Sequence, residues 1–224
     1  GGVFVPSLLT ILGVIMYLRF GWVVGNVGLL GTLIIVTLST SITFLTSLSI
    51  AAIATDQVVK GGGAYYMISR SLGIETGGAV GIPLFIAQAL SVALYVIGFA
   101  ESMVEVFPFM SLKLVGITVT VLIALLALFS TKATIRSQYF ILGAIFLSLV
   151  SLVLGKPLEN TEIEIWGAPE SQSEGFWVVF AVFFPAVTGI MSGVNLSGDL
   201  RDSSRSIPKG TFMAVGVGYI VYMT

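Results

Sequence analysis

The sequence contains no cysteine and no histidine. That removes thiol nucleophiles, disulfides and Cys/His zinc sites, together with the imidazole that most often serves as a general base. Charge is scarce as well. Only 9% of the 224 residues are Asp, Glu, Lys or Arg, the net charge is -1, and the ten basic residues form no stripe, which argues against a nucleic-acid partner. No nucleophile, base and orienting group fall together, so the chain reads as a non-enzyme with no cofactor. The N-terminal segment lacks a basic stretch followed by a small-residue cleavage site and is not read as a signal peptide.

What is present is apolar surface. Hydrophobic residues make up 56% of the chain, with a mean hydropathy of +1.06, far outside the range of soluble domains. A hydrocarbon layer about 30 Å thick is crossed by roughly 20 helical residues. By that rule the spans are 3–24, 28–54, 79–107, 112–130, 138–155 and 176–198, with a seventh beginning near 210. They are rich in Leu, Ile, Val, Phe and Ala on every face, which predicts helices rather than the alternating strands of a barrel. The chain opens Gly1-Gly2-Val3 and closes Tyr222-Met223-Thr224 inside an apolar run, so it reads as a piece of something longer.

The basic residues suggest an orientation. With the N-terminus in the cytoplasm, Lys60, Arg70, Lys132, Arg136, Arg201, Arg205 and Lys209 lie inside, whereas Lys113 and Lys156 lie outside. The connection 156–175 carries Glu159, Glu162, Glu164, Glu170 and Glu174 and is read as an acidic external loop, most simply a solvated linker.

Two spans are interrupted near their middles. In TILGVIMY, Gly13 follows about 11 helical residues, or about 16 Å of helix. In FFPAVTGIMSGVNLSGD, Pro185 to Gly189 lies a similar distance from the acidic loop. Five helices separate the two starts, so the segments run in opposite senses. A broken helix in a bilayer leaves backbone groups unpaired at several kcal/mol each unless they line a cavity or meet a ligand. The ends have useful chemistry: free carbonyls suit a cation and free N–H groups suit an anion. A single kink is usually only a kink, but a matched pair in inverted positions is the sequence pattern of a secondary-transporter site.

Other features are weaker. GxxxG spacings at Gly21 and Gly25, Gly77 and Gly81, and Gly189 and Gly193 read as helix packing. KGGGAYYMISRSLG, 60–73, lacks the GK[ST] ending of a phosphate-binding loop and is placed in the cytoplasmic connection after the second helix. Asn195-Leu196-Ser197 matches a glycosylation acceptor but falls within or on the wrong side of the membrane. Arg19 reads as a vestibule or ion-pair residue, and Glu101 and Glu105 as headgroup-facing.

TILGVIMYLRFGWVVG, AAIATDQVVKGGGAYYMISRSLG, GGAVG, ALYVIGFAE and FFPAVTGIMSGVNLSGDLRDSSRSIPKGT together resemble the cation-chloride cotransporters, within the amino acid-polyamine-organocation superfamily. The likeness covers nearly the whole chain. It implies an all-α membrane protein with the inverted five-helix-repeat, LeuT-like fold. Residues 1–155 would be the first repeat, 156–175 the acidic external loop and 176–224 the start of the second repeat, with helices 1 and 6 discontinuous. It further implies electroneutral symport of chloride with potassium, sodium or both by alternating access, in a multi-pass protein of the plasma membrane. Its partners would be the lipid bilayer and the transported ions, and a homodimer is an admissible assembly.

Carried over by motif, potassium would be held at Thr10, Ile11, Tyr95, Pro185 and Thr188. One chloride would meet Gly13, Val14 and Ile15, and a second Gly189, Ile190 and Met191. No other metal is implied. The family usually has Asn where this chain has Thr10, which bears on cation affinity, and its sodium site lies largely on a later helix. An amino acid permease of the same superfamily and a non-transporting membrane scaffold are the alternative readings.

Overall fold

The computed structural model describes residues 2–56, 59, 61–129, 131–155, 165 and 174–224, with side chains of 131–135 excepted. Among the described residues every regular element is helical. Helix α1 runs Phe4–Ile11 and carries Pro6 in its first turn, where no backbone donor is required. After Leu12 and Gly13 the chain resumes as α2, Val14–Asp56, of 43 residues. At 1.5 Å per residue that is about 65 Å, twice a hydrocarbon layer. It is not one straight rod. Gly28 sits inside it at φ 70°, ψ 178°, a conformation that L side chains rarely adopt. The Thr32 hydroxyl donates to the Gly28 carbonyl at 2.8 Å and closes the bend. The predicted spans 3–24 and 28–54 are therefore joined without a loop.

The remaining elements are α3, Gly63–Leu72; α4, Ile74–Val106; α5, Leu112–Phe129; and α6, Thr131–Leu154. Then come α7, Phe176–Phe183, a 3₁₀ turn Phe184–Val187, and α8, Ile190–Val194. A second 3₁₀ turn, Ser197–Asp199, leads to α9, Ser203–Met223. Three expectations are corrected in detail. The 60–73 connection holds a helix of its own. The 176–198 span loses its α-helical form after Val194, and the last helix begins seven residues before 210 with Arg205 and Lys209 inside it. Most of the 156–175 loop lies outside the described residues; its described parts touch α2, where the Leu30 N–H donates to the Ile165 carbonyl and the Glu174 N–H to Asn26 Oδ1.

A core forms where α1, α2, α7, α8 and α9 meet. Val23, Ile35, Val36, Phe183 and Ile207 have no exposed surface. Phe20, Phe183 and Tyr222 pack as a ring cluster with centroids 5.2 to 6.2 Å apart, tying α2, α7 and α9 together. By contrast α5 buries no residue, and Leu128 and Phe129 are 80% and 82% exposed. Such surfaces are stable against hydrocarbon, which is as apolar as leucine itself. Of the GxxxG pairs, Gly77 and Gly81 face Ser69 and Tyr65 of α3, and Gly189 and Gly193 face Thr10 and Ser7 of α1; Gly21 and Gly25 meet nothing within 4 Å.

Candidate ion site at the paired helix breaks

The two breaks lie side by side. Helix α1 packs on α8, and α2 packs on α7, so the segment before the first break meets the segment after the second. The two broken segments therefore run antiparallel to each other. Gly189 is pressed against Thr10 so closely that any Cβ on it would overlap the threonine side chain. Glycine is needed there for approach, not for an unusual φ.

Hydroxyls stitch the breaks together. Thr10 Oγ1 and Ser192 Oγ lie 2.9 Å apart and share one hydrogen bond; whichever hydroxyl accepts it donates onward, Thr10 to the Pro6 carbonyl at 2.8 Å or Ser192 to the Gly189 carbonyl at 2.9 Å. Ser7 Oγ, fully buried, donates to the Ile190 carbonyl at 3.2 Å. The Tyr222 hydroxyl donates to the Ile11 carbonyl at 2.8 Å. None of Ser7, Ser192 and Tyr222 was singled out from the sequence. Ser7 and Ser192 could have been noticed, because each lies three residues from a predicted ligand on one helix face. Tyr222 gave no such signal.

At the first break the helical ladder stops where the Leu12 N–H donates to the Leu8 carbonyl at 2.8 Å. The next carbonyls converge on Gly13: a Cβ there would lie 3.0 Å from Thr10 O, 3.4 Å from Leu9 O and 3.3 Å from Tyr95 Cε1. Tyr95 of α4 is thus brought against the break, half-buried, and its hydroxyl has no hydrogen-bond partner among the described residues. Val14 and Ile15 open α2, and Ile190 and Met191 open α8, so their N–H groups belong to first helical turns.

At the second break Thr188 donates both its N–H, at 3.3 Å, and its hydroxyl, at 2.8 Å, to the Pro185 carbonyl. A carbonyl oxygen has two lone pairs, but these internal bonds compete with any cation for Pro185 and for Ile11. A cavity of about 220 Å³ opens beside the breaks, walled by Val14, Ile15, Arg19, Gly98, Glu101 and Pro185 among others. Arg19 accordingly sits at a vestibule. Glu101, itself exposed, is also among the walls of that cavity, whereas Glu105 is not.

A helical bundle around two adjoining broken helices, with a largely apolar cavity beside them that Arg19 and Glu101 join and apolar surfaces outside, defines an integral membrane protein of the transporter class. The chain belongs to the amino acid permease family, whose model matches residues 2–224, and it has the LeuT-like fold that this family implies. It is 38% identical over 245 residues to solute carrier family 12 member 2 of Homo sapiens, covering 99% of this chain and 20% of the relative. It is 37% identical over 247 residues to solute carrier family 12 member 1 of Mus musculus, covering 99% and 22%. These relatives bear out the resemblance to the cation-chloride cotransporters read from the motifs. The chain spans about a fifth of the length of the curated relatives it matches. It is a transporter-family protein and not an enzyme.

Proposed function

We propose that this protein carries chloride together with potassium, sodium or both across the plasma membrane, in electroneutral symport by alternating access. The observation that supports this reading best is the contact of Gly189 with Thr10, which sets the carbonyl end of α1 beside the amide end of α8. Opposite partial charges within one small volume suit a cation and an anion bound as neighbours, and each ion lowers the cost of the other.

In this reading the Thr10, Ile11 and Pro185 carbonyls and the Tyr95 and Thr188 hydroxyls hold potassium. Chloride takes the first-turn N–H groups of Gly13, Val14 and Ile15, and a second chloride those of Gly189, Ile190 and Met191. Ser192 positions Thr10 through the hydroxyl–hydroxyl bond given above. Residues 1–155 serve as one five-helix repeat, and 176–224 as the start of its inverted partner, with the N-terminus in the cytoplasm.

The test is rubidium uptake by the full-length protein in proteoliposomes, with chloride exchanged for gluconate. Chloride-dependent uptake is expected. Chloride-independent uptake of amino acids with no rubidium flux would favour the permease alternative and overturn the symport reading.

A further inference from the structure

Gln88 is a neutral polar residue in the middle of α4, a helix otherwise read as crossing the bilayer. Its Oε1 accepts a 2.7 Å hydrogen bond from Asn195 Nδ2, across 107 positions of sequence. Asn195 caps the end of α8, immediately beyond the second break. Its other side-chain atom, Oδ1, lies against Gly63 at the start of α3, where φ is +53° and a Cβ would strike the asparagine. Asn195 is therefore held between α3 and α4.

The position along α4 gives this bond meaning. Tyr95, at the breaks, follows Gln88 by seven residues, which is two helical turns and about 10 Å on the same face. Glu101 lies further along in the same direction and lines the vestibule with Arg19 and Pro185. Along its length α4 thus passes from the open vestibule, which it lines with a different face, past the breaks at Tyr95, to a polar contact at the α3 end.

We propose that the Gln88–Asn195 hydrogen bond is the latch that closes the ion pathway on the α3 side, and that it parts when the site opens to that side. The inference rests on the transport reading above. An amide pair suits the task because it is neutral: it holds α8 to α4 without presenting a fixed charge to either a passing cation or a passing anion. A net hydrogen bond of ordinary strength biases a two-state equilibrium by about threefold to tenfold, enough to favour closure yet weak enough to open during a cycle.

The test uses full-length protein in oriented vesicles with a single cysteine introduced by Ser91→Cys, which lies on α4 between Gln88 and Tyr95. A membrane-impermeant methanethiosulfonate is applied from each face. With Gln88→Leu, or with Asn195→Ala, modification from the face bearing α3 should speed up by about threefold to tenfold and modification from the vestibule face should slow. The length-swapped pair Gln88→Asn with Asn195→Gln should restore the parent rates. Equal rates in parent and single variants, or a swapped pair no better than the singles, would overturn the latch. Rubidium uptake is read in the same vesicles. Its absence from the parent protein would sink the symport reading, while the labelling rates would still decide whether the pair closes this side.

Discussion

Gly189 touches Thr10 with no room for a methyl group, although 179 positions separate them. This contact fixes how near the two helix breaks can come. In Gly189→Ala the added carbon must push α8 away from α1, at a cost of about 1–3 kcal/mol for an over-packed site. We expect a lower unfolding temperature and loss of most rubidium uptake. Uptake at the parent level would show that the breaks need not touch.

Tyr222 reaches from α9 to the Ile11 carbonyl. Tyr222→Phe removes one donor inside the core, and stability should fall by about 0.5–1.5 kcal/mol. Because Ile11 is a proposed potassium ligand, the apparent Km for potassium should also shift. A stability loss with both ion affinities unchanged would separate Tyr222 from the site.

Tyr95→Phe distinguishes a ligand from a structural hydroxyl. The hydroxyl has no partner among the described residues, so its loss should cost little stability. Removing a cation ligand should raise the apparent Km for potassium and, by coupling, weaken chloride binding. Rubidium uptake across potassium and chloride titrations measures both, and unchanged affinities would exclude the ligand role.

Asp202 caps α9. The Ser204 hydroxyl, then the Arg205 N–H, hold its carboxyl below the usual carboxylate range, and the Arg205 charge acts in the same direction. A depressed value in the folded state stabilises the protein above the ordinary carboxylate pKa, and that stabilisation is lost as pH falls through the lowered value. Melting temperatures of parent and Asp202→Asn across acid pH should therefore converge at the low end. Asn remains a good cap but does not titrate. A constant gap between the two curves would contradict this.

Orientation is tested by labelling. In a cysteine-free background, Glu174→Cys should react with an impermeant reagent from outside and Arg136→Cys from inside, following the distribution of basic residues. The reverse pattern would invert the assignment.

Hydropathy and composition alone laid out the apolar spans and the two breaks, though not the helix Gly63–Leu72 or the start of α9, because both features are local: hydropathy sets the length of a span, and Pro185, Gly189 and Gly13 interrupt it where they stand. The sequence determined the family too, through motifs read in order along the chain. Which residues face one another was decided only in three dimensions. A membrane helix is apolar on all sides, so its pattern does not say which face meets protein and which meets lipid. Tyr222 meets Ile11 across 211 positions, Ser192 meets Thr10 across 182, and Gln88 meets Asn195 across 107. Nor does the position of Glu101 near a helix end, which marks depth and not direction, tell that it also lines a cavity. The folded bundle supplies direction, because a polar group in an apolar medium must find a partner or a cavity, and the partner within reach is set by packing between helices.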